Sequence, residues 1–330
     1  MKLDWPVEIA GTGGAAPAQV VTNAEFAARL ETSDDWIVQR TGIRERRIAG
    51  PGESTLTFAR AAAAEALRDS GVPATDIDLI LTATITPDHP LPSTACELQA
   101  ALGCGWVPSF DLAAACSGFV YGMVTAAQYV HMGLAKNALV VGAECLSHIT
   151  DMEDRSTAIL FGDGAGAAVL RRSTDPARRI LAARLGSDGQ RAMAIWVPAG
   201  GSAEPASTRT VNERLHYMRM KGREIYKFAV TQFCELFEKT LEDVGATAAE
   251  VKLLIPHQSN LRIMESACER LAFPLERVMV NIDRYGNTSA ASIPLALHEA
   301  LRAGRINRGD LVMMVAFGAG LTWGSLLVRV

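Results

Sequence analysis

Three polar side chains in this sequence stand where chemistry is possible. Cys116 ends the stretch Val107-Pro-Ser-Phe-Asp-Leu-Ala-Ala-Ala-Cys116, an apolar run that passes directly into the long apolar pattern opening at Ser117-Gly-Phe119. This pattern predicts a strand that delivers a thiol to the first turn of a helix. There, unpaired backbone N–H groups and the positive end of the helix dipole favour an anion, so the thiol should ionise below its free value of about 8.5. A thiolate is a nucleophile. Cysteine is also among the most buried residue types, and an inert core thiol has the same local pattern. His257, in Ile255-Pro-His-Gln-Ser-Asn260, and Asn287, in Tyr285-Gly-Asn-Thr-Ser-Ala290, each follow an apolar run. Beside a thiol, an imidazole and an amide would supply hydrogen bonds to a carbonyl. Each has an ordinary alternative: His257 as a hydrogen-bonded core residue, and Asn287 after Gly286 as a turn residue.

The elements that must hold these groups follow from periodicity and punctuation. Val7 to Ala10 reads as a strand, and Gly11-Thr-Gly-Gly-Ala-Ala16 has the spacing of a dinucleotide loop. Pro17 and Val20-Val21-Thr22 occupy the place where such a loop must open a helix, which argues against nicotinamide or flavin. A capping-box spacing at Thr22-Asn-Ala-Glu25 opens a helix, and a second helical segment runs from Ser33 to Gly42. Arg40 and Arg44-Glu-Arg-Arg47 collect positive charge beside Trp36, a pairing that suits a phosphate and a base and equally a solvated face. Ser54 to Ser70 is a helix closed by Gly71, and Ile77 to Thr84 is apolar on both faces, the mark of a covered central strand. Helices are expected over 93–103 and from Cys116 to Gly133, with a strand over 138–142. Phe161-Gly-Asp-Gly-Ala-Gly166 leads into a strand, and with no lysine or helix start behind it these glycines read as close packing.

The order of elements then repeats. Leu67-Arg-Asp-Ser-Gly-Val-Pro-Ala-Thr-Asp-Ile77 aligns with Leu241-Glu-Asp-Val-Gly-Ala-Thr-Ala-Ala-Glu-Val251. The strand before Cys116 corresponds to Val278-Met-Val-Asn-Ile282, and the closing strands correspond to 311–317 and 322–330. Two halves, 1–172 and 173–330, are expected, each an α/β layer with helices shared between the sheets. His257 and Asn287 then fall at strand ends topologically matched to those of the first half, where open α/β sheets bind ligands. The stretch from Gly186 to Leu215 has no counterpart and reads as an insertion or lid.

Composition narrows the class. With 32 Lys+Arg against 36 Asp+Glu the net charge is −4, so no field for nucleic acid is implied. The six cysteines form no C-x-x-C pair and no ligand spacing with the six histidines, which argues against a metal site or a disulfide scaffold. Met1-Lys-Leu-Asp-Trp-Pro is charged where a signal peptide is apolar, and no run of about 18 apolar residues occurs. A soluble cytoplasmic protein with no membrane contact is expected.

Six ordered motifs span the chain: Thr32-Ser-Asp-Asp-Trp-Ile-Val-Gln-Arg-Thr-Gly-Ile-Arg-Glu-Arg46, Ala113-Ala-Ala-Cys-Ser-Gly118, Phe161-Gly-Asp-Gly-Ala-Gly166, Pro256-His-Gln-Ser-Asn260, Gly286-Asn-Thr-Ser-Ala290 and Phe317-Gly-Ala-Gly-Leu-Thr-Trp-Gly324. In these the sequence resembles the β-ketoacyl-acyl-carrier-protein synthase III family, the initiating condensing enzymes of type II fatty acid synthesis. The resemblance implies the thiolase-like five-layered αβαβα fold with two pseudo-symmetric halves, and a homodimer. It implies no cofactor, with acyl-CoA and malonyl-acyl carrier protein as substrates. Cys116 would take the acyl group, backbone N–H groups of Cys116 and Ala319 would hold the oxyanion, and His257 and Asn287 would bind the malonyl thioester carbonyl. Decarboxylative Claisen condensation would follow. A specialised condensing enzyme or acyltransferase of secondary metabolism with the same Cys-His-Asn set is the alternative.

By the same resemblance, Trp36 and Arg155 would sandwich the adenine of CoA, Arg40 would meet its phosphate, and Asn260 would contact pantetheine. Arg262 and Lys227 would receive the acidic carrier protein. Leu91 falls at an acyl-pocket position often held by phenylalanine, which implies room for a longer or branched primer. Three departures stand out: Arg223 for an asparagine near the pantetheine arm, Ser156 for a glycine, and Ala319 for a glycine in the oxyanion loop, the last tolerable because the donor there is backbone.

Overall fold

In the computed structural model, which describes residues 1–330, ten strands form two five-stranded sheets. They are β1 (Lys2–Trp5), β2 (Val7–Ala15), β3 (Leu79–Ala83), β4 (Ser109–Leu112), β5 (Asn137–Cys145), β6 (Asp163–Arg172), β7 (Arg179–Ser187), β8 (Val251–Pro256), β9 (Leu311–Gly318) and β10 (Thr322–Arg329). One sheet has the order β2-β6-β5-β3-β4 and the other β1-β7-β10-β9-β8. In each, an adjacent pair of parallel strands (β3 with β5, β8 with β9) is followed by two antiparallel pairings. The two sheets therefore repeat one topology, with β2, β6, β5 and β3 answering to β7, β10, β9 and β8.

Seven helices cover the sheets: α1 (Asp34–Thr41), α2 (Thr55–Ser70), α3 (Thr94–Leu102), α4 (Gly118–His131), α5 (Gly222–Glu242), α6 (Leu261–Leu271) and α7 (Ser292–Arg302). Capping behaves as the sequence implies: Ser54 and Thr57 exchange capping bonds at the start of α2, and Gly71 closes it with φ +67°. On the outer face of the first sheet, Phe58, Ala62 and Leu98 of α2 and α3 pack on Ile80 and Leu139. Between the sheets, Phe119 and Met123 of α4 and Ile293 and Leu297 of α7 touch Leu81 and Val140 on one side and Val312 and Leu326 on the other. Outside the second sheet, Phe233 and Met264 of α5 and α6 pack on Leu254 and Met313. These are five layers, αβαβα. Strands buried on both faces carry apolar residues throughout, which explains the uninterrupted runs over β3 and β5.

The Gly11–Gly14 run lies inside β2. A Cβ on Gly13 would come within 2.0 Å of the Ala62 carbonyl, so the glycines allow α2 to seat on the strand and cradle no phosphate.

Three features depart from the sequence reading. Val278–Ile282 is not a strand; a single bridge joins Val278 to Leu254. The reason is Gln258, whose buried side chain accepts from the N–H groups of Asn281 and Ile282 and donates to Pro256 and Met279 carbonyls, in place of a strand ladder. Second, Lys2–Trp5 is a strand that pairs with β7 in the second sheet. Its Leu3 and Trp5 pack on the central layer, so the first residues are tied into the other half. Third, the 186–215 stretch contributes a wall: Ile195-Trp196 pairs with Arg219-Met220, and Ile195 faces the central cavity.

Candidate active site

Cys116 sits in a tight turn, Ala115–Ser117, between β4 and α4. Ala115 has φ +45°, a strained value for a residue with a side chain, and this kink lifts the thiol out of the strand direction. The second half repeats the device: Ser289–Ala291 leads into α7 with Ser289 at φ +49°, and Ala290 occupies the position that answers to Cys116. The Ser117 hydroxyl lies 2.6 Å from the Thr322 hydroxyl, which is also within bonding distance of the Ala114 and Ala319 carbonyls. This clamp holds the Cys116 turn against the loop at Ala319. A Cβ on Gly318 would stand 2.7 Å from the Cys116 nitrogen, so a glycine is required for the two segments to approach.

His257 follows β8 directly, and its N–H donates to the Val315 carbonyl (2.8 Å). The ring meets Phe317 edge-on at 5.7 Å, is 2% exposed, and its Nδ1 has no hydrogen-bond partner. Burial pushes the imidazole down to about 3, so it is neutral at physiological pH. The Asn287 backbone bonds to Leu160 and Gly162, which pins it beside Phe161. Its Oδ1 accepts from the Ser289 N–H (2.9 Å), fixing the amide and leaving the NH₂ as its free donor.

Cys116, His257, Asn287 and Ala319 line one cavity that opens to solvent. Its other walls are mostly apolar, among them Leu146, Met218, Ile225 and Phe228. The sequence reading of the thiol needs correction. Burial pushes Cys116 up to about 12, the nearby Glu144 charge acts in the same direction, and the Ser289 hydroxyl opposes them. Burial and the Glu144 charge favour the neutral thiol over the thiolate, so the proton must leave as the sulfur reacts. What the cavity offers is a thiol, two neutral donors and mostly apolar walls, a set suited to acyl transfer and to stabilising an enolate.

Residues 110–189 match the family described as 3-oxoacyl-[acyl-carrier-protein] synthase III, and residues 241–330 match its C-terminal model. The β-ketoacyl-[acyl-carrier-protein] synthase III of Symbiobacterium thermophilum is 51% identical over 98% of both chains. This chain belongs to that family. The Roseiflexus castenholzii synthase III is 48% identical over 97% of each chain. The crystal structure of the Aquifex aeolicus enzyme superposes with TM-score 0.91 at 47% identity, covering 98% of this chain and all of the other. Synthase III enzymes are condensing enzymes that initiate fatty acid synthesis, and with this membership the chain is one of them.

Around the synthase III cavity the remaining sequence candidates divide. Trp36 and Arg155 do meet: the Arg155 guanidinium lies 5.0 Å from the Trp36 ring and that of Arg40 lies 5.6 Å from it. Arg155 also donates to the Glu31 carbonyl (2.7 Å). A flat base between the two needs roughly twice a stacking distance, about 7 Å, so Arg155 must swing outward to admit one. Asn260 lines the cavity, caps α6 through the Arg262 N–H, and donates to the Arg40 carbonyl. Arg262 and Lys227 are exposed, each next in the chain to a residue that lines the cavity, Ile263 and Tyr226. Arg223 is also exposed, at the start of α5, and does not face the cavity.

Two of the sequence candidates lie away from the cavity. Arg46 is no part of a phosphate-binding patch. It is fully buried, donates to the Val21 and Ile159 carbonyls and to Asn23, and lies over Phe26. A string of arginines does not reveal which one points inward. Leu91 does not line this chain's cavity: it projects from the 87–92 loop and is 86% exposed, so the primer-length argument finds no support within one chain. Conversely, Ser117, Thr322, Ser289 and Glu144 belong to the site without being sequence candidates for it. Glu144 had a signal, one acid inside the otherwise apolar 138–145 run. No helix is long and apolar enough to cross a membrane.

Proposed function

We propose that the family's reaction, decarboxylative condensation of an acyl-CoA primer with malonyl-acyl carrier protein, runs in this chain on Cys116, His257 and Asn287. The N-terminal half (1–172) supplies the nucleophile and the C-terminal half (173–330) the donors. Cys116 Sγ attacks the primer's thioester carbonyl, the oxyanion lies between the N–H groups of Cys116 and Ala319, and CoA leaves as thiolate. Malonyl-acyl carrier protein follows, with Arg262 and Lys227 at the mouth meeting its acidic carrier. His257 and the Asn287 NH₂ then donate to the malonyl thioester carbonyl. Carbon dioxide departs, the enolate attacks the acyl-cysteine, and β-ketoacyl-carrier protein is released. The observation that carries this reading is the pair of neutral donors beside a thiol. A histidine held near 3 is a weak base, and loss of CO₂ makes the carbanion without one. Trp36, Arg155, Arg40 and Asn260 hold the CoA. No bound cofactor takes part, and the reaction takes place in the cytoplasm. Incubation with a panel of acyl-CoAs and malonyl-acyl carrier protein should give β-ketoacyl-carrier protein and CO₂ in equal amounts. Transfer of the acyl group to another acceptor with no CO₂ would favour the acyltransferase alternative.

The working unit is proposed to be a homodimer. β4 is an edge strand, and near it Phe110, Trp106 and Leu91 are exposed, a combination that isolated chains avoid. Antiparallel pairing of β4 with a second copy would continue the sheet and cover this face. Leu91 then serves an acyl pocket only across that interface. In sedimentation velocity at micromolar concentration the chain should run as a dimer and Phe110→Asp as a monomer. A monomeric wild type would contradict the proposal.

A further inference from the structure

Glu144 is a buried carboxyl at the end of β5 that the mechanism above does not use. One of its oxygens, Oε2, is saturated: it accepts from the Thr86 hydroxyl (2.6 Å), the Ile85 N–H (3.1 Å) and the Thr84 hydroxyl (3.2 Å). The other, Oε1, has a single partner, the Ser289 hydroxyl at 3.0 Å. Ser289 lines the same cavity as Cys116, where its hydroxyl favours the thiolate. Its N–H holds Asn287 and its backbone is fixed at φ +49°. Ser289 thus stands between the reacting sulfur and an anchored carboxylate.

We infer that Ser289 and Glu144 are the route by which the Cys116 thiol loses its proton. As Sγ attacks the primer, the thiol proton passes to the Ser289 oxygen while the Ser289 proton passes to Glu144 Oε1. The Cys116–acyl bond forms, the acyl–CoA bond breaks, and CoA leaves as a thiolate that takes a proton from water. In the condensation step the enolate expels Cys116 thiolate, and Glu144 returns the stored proton through Ser289. Charge balances over the cycle, since the malonyl carboxylate leaves as neutral CO₂ and its electron pair ends on that thiolate. Ser289 is a catalytic residue in this scheme because it exchanges a proton with the reacting sulfur. Glu144 acts through it.

The electrostatics agree with the geometry. Burial pushes the Glu144 carboxyl up to about 7, opposed by its four hydrogen bonds, which suits a proton acceptor near neutral pH. His257, held near 3, is poorly placed in energy for that task. The titratable groups that feel the Glu144 charge are the thiols of Cys116 and of Cys145, its neighbour on β5.

This inference rests on Cys116 being the nucleophile, and the test separates the two. Wild type, Glu144→Gln and Ser289→Ala are followed by intact mass, first with iodoacetamide between pH 5.5 and 9.5, then with an acyl-CoA in a single turnover. Glutamine can keep the bonds to Thr84, Ile85 and Thr86 but cannot take a proton. Wild-type rates should rise with pH through the Glu144 ionisation. Both variants should lose that rise and react about 10²-fold more slowly at pH 7.5. A Glu144 that merely repels the thiolate gives the opposite sign, because its removal would speed alkylation. Variant rates equal to or above wild type therefore overturn the route alone. A wild type that accepts no acyl group overturns the nucleophile assignment and the route with it. If Glu144→Gln does not fold, judged by circular dichroism, Ser289→Ala decides.

Discussion

Cys116→Ala should fold, should bind acyl-CoA, and should carry no acyl group, with condensation reduced by on the order of 10⁴- to 10⁶-fold, the loss seen when a covalent nucleophile is removed. The structure indicates that the fold will tolerate the change. The duplicated turn before α7 already holds an alanine, Ala290, where the first turn holds Cys116, and that turn leads into a buried helix in the same way. The strain at Ala115 precedes the substituted residue and is unaltered. Only Sγ is lost, from a side chain that borders an open cavity, so the effect on stability should stay within about 1 kcal/mol. Intact-mass measurement after incubation with acyl-CoA gives the adduct directly, and thermal unfolding separates loss of chemistry from loss of fold. An alanine variant that still acquires one acyl group would move the nucleophile elsewhere.

His257→Ala and Asn287→Ala should divide the reaction instead of abolishing it. Neither donor touches the acylation step in the scheme above, so each variant should accept an acyl group from acyl-CoA at close to the wild-type rate. Condensation of that acyl-enzyme should fall by about 10²–10³ for each, the usual effect of deleting one donor to a developing oxyanion. The two losses need not add, because both donors serve one oxygen. The pH dependence has a definite sign. A histidine held near 3 does not change charge between pH 5 and 8, so it imposes no acid limb on condensation in that range. It does bear on stability. Its folded value lies below the unfolded value of about 6.5, so its contribution is present above pH 6.5 and is lost as pH falls toward 3, by up to about 1.4 kcal/mol per unit. His257→Ala should flatten that part of the acid unfolding curve. Full condensation rates in both variants would contradict the assigned roles.

Much of this arrangement is legible in the sequence because it depends on local pattern. The run ending at Cys116 and the apolar helix behind it are adjacent in the chain, so a strand, a turn and a buried helix follow from periodicity alone. The repeat of 67–77 in 241–251 carries the topology, and the second sheet keeps step over four strands, β4 alone lacking a counterpart. What could not be read depends on side chains meeting across the fold. Gln258 replaces a strand ladder at Val278–Ile282 through bonds to residues more than twenty positions away. Arg46 looks like its basic neighbours in sequence yet is the one enclosed by Phe26, Asn23 and Ile159. The thiol's ionisation depends on such contacts too. The helix start is local and visible, whereas the apolar walls that desolvate Cys116 come from Leu146, Met218, Phe228 and Phe317, scattered over both halves. Leu91 is a further case, since its exposure is set by the projection of one loop.

The most direct test of the central claim is discharge of the acyl-enzyme. Wild-type protein is loaded with an acyl-CoA, freed of excess, and its mass is followed after malonyl-acyl carrier protein is added. The mass should rise by one acyl group located on Cys116, then return to that of the free protein as one CO₂ and one β-ketoacyl-carrier protein appear. An adduct that forms on Cys116 and persists in the presence of malonyl-acyl carrier protein would contradict this account of the site.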